Sequence, residues 1–199
     1  MSLPPLLIYG AGGHAKVAYT VAIAQNRQVL GFIDPYTNLD SLYDLPIIQT
    51  NLTRPDAELF IAIGHNPTRK KVAELNPGEF ATLIHPSAVV APDAIIGPGT
   101  LICAGAVIQA AAVIGSHCIV NTRASVDHDC HIGDFAHIAP GSTLCGGVSI
   151  GAETLIGAGS TIIQNMKVGH KSTLAAGAVA IEEIPSNETW AGIPAVYKP

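Results

Sequence analysis

A chain of 199 residues holds one large or two small domains, and its 48% hydrophobic residues can furnish a core for either. The formal net charge is −5 with no basic run, which argues against nucleic acid as a partner. No twenty-residue apolar span occurs and no basic segment precedes an apolar one at the start, so a soluble cytoplasmic protein with no membrane partner is expected.

The first apolar run, Leu6-Leu7-Ile8-Tyr9, reads as a short strand. Gly10-Ala11-Gly12-Gly13-His14 follows, then a helix from about Ala15 to Gln25. A second strand, Val29 to Ile33, ends at Asp34-Pro35, and a third run, Leu59 to Ile63, ends at Gly64-His65-Asn66-Pro67 before a helical stretch from Thr68 to Leu75. This is the order of a small Rossmann-like βαβ unit. Its Gly-rich turn lets backbone N–H groups approach a pyrophosphate at a helix N-terminus, and Asp34 lies where an acid could hold a ribose or a base. The turn lacks the third glycine of the dinucleotide fingerprint, which disfavours NAD and FAD; the alternative to a ligand-binding turn is a tight strand–helix turn with no ligand. Arg69, Lys70 and Lys71 either add positive charge beside the turn or form a solvated helix face. Residues 76–86 read as a passage, so the chain divides into 1–83 and 84–199.

From Ile84 onward an aliphatic residue recurs every six positions. Ile84, Val90, Ile96, Ile102, Ile108, Ile114, Val120, Val126, Ile132, Ile138, Leu144, Ile150, Ile156, Ile162, Val168 and Leu174 are sixteen consecutive hits. Six of them are followed by glycine, and the residue four places on is mostly small, as at Ala88, Ala106, Cys118 and Ala136. A period of six fits neither a lone helix nor a flat sheet, whose periods are 3.6 and 2. It fits a solenoid of short strands and turns in which one aliphatic per hexad points inward. Phe135 is the only aromatic residue from 84 to 179, in keeping with a narrow interior. Glycine in the turn suggests a backbone angle that a Cβ disfavours. Cys103, Cys118, Cys130 and Cys145 all fall in the repeat and read as buried thiols.

The repeat resembles the hexapeptide-repeat acyltransferases. With the G-x-G-G-H turn, "AIGHNPTRKK", "LIHPSAVVAP" and "DHDCHIGDFAHIAPG", the whole chain resembles their sugar-nucleotide branch. That branch includes N-acetyltransferases of UDP- or GDP-linked 4-amino-sugars and sialic acid O-acetyltransferase-like proteins. The resemblance implies a left-handed parallel β-helix of about five coils, homotrimeric, with the active site between subunits. It implies His128 as general base with Asp129 behind it, and His137 at the acetyl end of acetyl-CoA. Gly146, Ala158 and Ala176 would line the pantetheine groove, with Gly192 and Pro194 beside the coenzyme. Gly10, Gly12, Gly13, His14, Asp34, Gly64, His65 and Asn66 would bind the sugar nucleotide. Val196 stands where relatives often carry Lys or Arg, which weakens any phosphate contact there. Asp127, His131, His117 and His85 match no catalytic position and read as surface residues.

The His-Asp pair suits the transfer of an acetyl group to a sugar amine: imidazole accepts the proton the amine loses, and a carboxylate fixes its tautomer. The same pair could deprotonate a hydroxyl, so O-acetylation is the nearest alternative. A trimeric scaffold that binds a sugar nucleotide without turnover is another. A β-helix zinc hydratase would need a His₃ site, and the spacing of His117, His128, His131 and His137 does not match one. No metal is expected, and acetyl-CoA is the expected co-substrate.

Overall fold

The computed structural model describes residues 3–50 and 56–199; residues 1, 2 and 51–55 lie outside the described residues. The first run forms β1 (Leu6–Tyr9), the Gly-rich turn opens directly into α1 (Gly13–Ala24), and the second run is β2 (Val29–Ile33). A hairpin not foreseen in the sequence follows, β3 (Ser41–Leu42) and β4 (Leu45–Ile48), turning at Tyr43 and Asp44, which both have positive φ. The third run is β5 (Glu58–Ile61), leading into α2 (Asn66–Leu75). The sheet order is β3-β4-β2-β1-β5, parallel except for β3. Flanked on both sides, β1 is apolar and buried throughout, as a central parallel strand must be.

From Leu83–Ile84 to Val179–Ala180 the chain makes two-residue strands six residues apart, and each, up to Thr161–Ile162, pairs in parallel with the strand eighteen residues on. Three sheets result, so the solenoid has three faces. It is a left-handed parallel β-helix with a triangular section. The first face starts at Leu83–Ile84, the second at Val89–Val90 and the third at Ile95–Ile96. All sixteen periodic aliphatics are the second residue of a strand and point inward; from Ile102 on they are at most 3% exposed. Full burial of one such side chain contributes roughly 1.5–3 kcal/mol. Cys103, Cys118 and Cys130 are buried free thiols, while Cys145 is half-buried.

The glycine after the aliphatic has a different role from the one expected. None of the six has positive φ. A Cβ on Gly133 would instead lie 2.6 Å from the Ala152 nitrogen of the next coil, so the glycine permits the coils to stack closely. The left-handed residue comes two places later, and His117, Asp129, Phe135 and Glu153 all take that conformation.

The outward residues of the first face reveal where the βαβ unit sits. Leu83, Leu101 and Ile119 are 0–1% exposed, whereas Val89 and Ile95, their counterparts on the other faces, are each 62% exposed. Ala15, Ala18 and Ala22 of α1 share one apolar cluster with those three residues. The edge where the third face turns into the first is held by α2. Arg69, 1% exposed, donates from Nε to the His117 carbonyl at 2.8 Å and from Nη2 to the Phe135 carbonyl at 2.8 Å. Its Nη1 donates to the carbonyls of Ile63 and Gly64, and Nη2 also reaches Asn66 Oδ1. Asn66 Nδ2 in turn donates to the carbonyls of Glu153 and Thr154, and Lys70 pairs with Glu153 at 2.8 Å.

Two expectations are corrected here. Arg69 is neither a ligand-facing charge nor a solvated one, because its guanidinium is spent on backbone carbonyls of both units. His117 is buried rather than exposed, stacked on Phe135 at 4.9 Å with Phe80 edge-on at 4.5 Å, because α2 and the segment after it cover that edge. Among the described residues no carboxylate pairs with Arg69, and burial lowers its pKa to about 10. His14 and His137 meet in the same seam, ring centroids 6.4 Å apart, and burial followed by the Arg69 charge lowers each to about 4.

Arg69→Met keeps the bulk and removes every donor, leaving buried carbonyls unpaired; it should cost at least ~2 kcal/mol in denaturant unfolding, and Arg69→Lys should recover only part. The two depressed histidines set a pH dependence with a definite sign. Unfolded, they take up protons near the ordinary value of about 6.5, before the folded rings do, so their contribution is full above that pH and is lost as pH falls towards 4. The unfolding midpoint should therefore fall across that window, and His137→Gln should make the fall shallower.

Candidate active site

A cleft of about 430 Å³ opens at the C-terminal ends of β1, β2 and β5, where parallel sheets bind ligands. Gly10, Gly12, Gly13, His14, Asp34 and Gly64 line it, as do Tyr9, Tyr36 and Thr68, which the sequence did not single out. Another cavity, about 400 Å³ against Pro4, Glu58, Pro77 and Phe80, contains none of the expected residues.

Asp34 organises the cleft. One carboxylate oxygen accepts the Ala11 N–H at 2.9 Å and the other accepts the Tyr36 N–H at 3.0 Å, so the Gly-rich turn is tied to the end of β2. Gly12 and Gly13 are exposed with open space where a Cβ would stand. His14 presents a buried Nε2 with no partner among the described residues. Asn66 does not belong to the cleft: it is 6% exposed and its amide serves the seam with the β-helix. His65 is exposed, and its Nδ1 lies 2.8 Å from Thr68 Oγ1 at the start of α2.

His128 and Asp129 occupy the turn 127–130, at the edge between the second and third faces. That edge lies opposite the first face, which carries the βαβ unit. The left-handed conformation of Asp129 swings its carboxylate beside the preceding ring, and Oδ2 lies 2.8 Å from His128 Nδ1. The proton is thereby held on Nδ1, and Nε2 is left as an acceptor. The hydrogen bond to Asp129, followed by the charge of Asp127, raises the His128 pKa above its ordinary value. Asp127 Oδ1 also accepts the His128 N–H at 2.8 Å, and the imidazole is 61% exposed.

His137 stands on the first face, away from His128 and against the cleft. Its Nε2 lies 3.1 Å from Asn121 Nδ2, and the ring also hydrogen-bonds the Gly64 backbone. Asn121 was missed in the sequence, where its one signal is a polar amide directly after an inward Val120. The residues expected to line a pantetheine groove separate. Ala158 and Ala176 are exposed at the edge after the first face, whereas Gly146 lies directly above His128 at the edge after the second. Gly192 and Pro194 are exposed in a C-terminal hairpin between Thr189–Ala191 and Val196–Lys198, tied back through the Val179 N–H to the Gly192 carbonyl. Of the four histidines weighed for zinc, His117, His128 and His137 lie at separate places around the prism. Among the described residues no group of three or more His, Cys, Asp or Glu could hold a metal ion.

Residues 5–75 match the PglD N-terminal domain, and residues 111–146 match the bacterial transferase hexapeptide repeat. UDP-N-acetylbacillosamine N-acetyltransferase of Bacillus subtilis is 41% identical over 95 residues, which span 42% of this chain and 44% of that relative. Two solved structures are similar over nearly the full length. The acetyltransferase domain of PglB from Neisseria gonorrhoeae is 38% identical, with a TM-score of 0.93, 98% of this chain covered and 100% of that one. A perosamine N-acetyltransferase variant from Caulobacter crescentus, solved with CoA and GDP-perosamine, is 33% identical, with a TM-score of 0.93 and coverage of 100% and 98%. Likeness of that extent, carried through both the βαβ unit and the repeat, makes this chain a member of the hexapeptide-repeat sugar-nucleotide acyltransferase family.

Proposed function

We propose that the protein transfers an acetyl group from acetyl-CoA to the amino group of a nucleotide-linked 4-amino-sugar, with His128 as general base. The observation that carries this reading is the state of the His128 ring: Nδ1 is committed to Asp129, and Nε2 is an exposed acceptor. The amine nitrogen attacks the thioester carbonyl, and Nε2 takes the proton that the nitrogen loses. The adduct then collapses, the C–S bond breaks, and the imidazolium returns that proton to the CoA sulfur. Asp129 stabilises the imidazolium without itself being protonated. Backbone N–H groups of the turns stabilise the oxyanion.

The sugar nucleotide occupies the cleft, its phosphates over Gly12 and Gly13, with the unpartnered His14 Nε2 available to a ligand oxygen. Within one chain that cleft and His128 lie on opposite sides of the prism. The proposed site is therefore completed by a second copy, whose His128 edge meets the cleft and His137 of the first, in a homotrimer. The same pairing joins the edge bearing Gly146 to the edge bearing Ala158 and Ala176, giving acetyl-CoA one continuous groove between copies. Asn66 is left out of this assignment, and His65 is kept only at the rim. Cytoplasmic location is proposed from the substrates.

The test is thiol release from acetyl-CoA with UDP- and GDP-linked 4-amino-sugars, matched hydroxyl sugars and sialic acid. Release should require an amino-sugar, and His128→Ala should lower turnover by at least ~10²-fold with the assembly intact. Release with hydroxyl sugars alone would establish O-acetylation instead. Binding without release would support the scaffold.

A further inference from the structure

Gly146 lies eighteen residues after His128, in the corresponding turn of the next coil, and the two turns are locked by the Gly147 N–H donating to the His128 carbonyl at 2.9 Å. An ideal Cβ on Gly146 would stand 2.5 Å from both Cε1 and Nε2 of the imidazole and 3.2 Å from Cδ2. The ring thus lies over the Gly146 backbone and occupies the space a side chain would take. The backbone itself does not demand glycine there: Gly147 has φ +70°, whereas Gly146 is outside the left-handed region. The three atoms nearest to the missing Cβ all belong to the imidazole. What an alanine at 146 would displace is therefore a mobile side chain and not the coil.

We infer that Gly146 is a positioning residue for the general base: the bare turn is the seat on which the His128 imidazole rests, while Asp129 holds the ring at Nδ1. Two constraints then fix the direction of Nε2, one on an edge of the ring and one against it. This rests on the reading of His128 as the base, and it gives Gly146 a part distinct from lining a coenzyme groove. Orientation of a reacting group matters steeply, since displacements near 1 Å can cost about 10²-fold in rate.

The test is a double-mutant cycle on Gly146→Ala and His128→Ala, with kcat and both KM values measured. Gly146→Ala should fold with an unchanged assembly and lower kcat by ~10- to 10²-fold, with the KM for acetyl-CoA moving less than about threefold. In the His128→Ala background it should cost nothing further, because the displaced group is gone. The His128 ring signals, followed by NMR titration, should lose the signature of the Asp129 hydrogen bond in Gly146→Ala. An equal cost in both backgrounds with a raised KM for acetyl-CoA would overturn the inference and leave the glycine serving the coenzyme. So would an unfolded Gly146→Ala, or one with full activity beside an impaired His128→Ala. Near-normal turnover in His128→Ala would instead remove the base, and its seat with it.

Discussion

The molecule depends on one buried cation. The Arg69 guanidinium is withdrawn from water without a carboxylate partner among the described residues and is stabilised only by dipoles: carbonyls of Ile63 and Gly64 on one side, of His117 and Phe135 on the other, and the Asn66 amide oxygen. A buried charge is tolerable when its donors are all satisfied, and a planar five-donor fork can do that across two bodies at once where an ammonium cannot. The acceptors belong to successive coils at one edge of the prism. The βαβ unit is therefore held at a fixed height along the β-helix as well as on a fixed face. The height matters because it brings Gly64 and His14 against His137. Burial first, and the same charge after it, discourages protonation of both rings, which keeps His137 a neutral acceptor for Asn121.

A consequence follows for the shape of the proposed site. With the βαβ unit on the first face, the cleft proposed for the sugar nucleotide and His128 are separated by the whole width of the prism. Neither half is a complete catalyst. One is the cleft, with His137 behind its lining residues His14 and Gly64; the other is the proposed base, 61% exposed on the far edge. The proposed assembly resolves both deficits at once.

Much of the architecture could be read in advance because each hexad buries one aliphatic, and the solenoid writes that burial into the chain as an unbroken period. The docking face was also written there, less visibly: Leu83, Leu101 and Ile119 form an apolar set at eighteen-residue spacing in the outward slot. The turn chemistry was harder. The glycine directly after the aliphatic served stacking rather than backbone angle, and the left-handed position two places later fell on Gly147 and on residues as unlike as Asp129 and Phe135, because the turn imposes that conformation whatever the side chain. At the site, His128, Asp129 and the Gly-rich turn were legible as local motifs. Arg69, Asn66 and His117 were misread because their roles come from a contact between segments 48 to 88 residues apart, which no local pattern records. Asn121 was missed for the same reason: its partner His137 sits on the next coil.

The most direct measurement is complementation between subunits. Asp34→Ala loosens the Gly-rich turn and impairs the cleft, while His128→Ala removes the base, and each homo-assembly should have little activity. Co-refolding the two chains should restore turnover, because mixed assemblies contain sites that pair an intact cleft from one chain with an intact His128 from another. Mixed assemblies that form and stay as inactive as their parents would contradict the account and put the cleft and the base of each working site in the same chain.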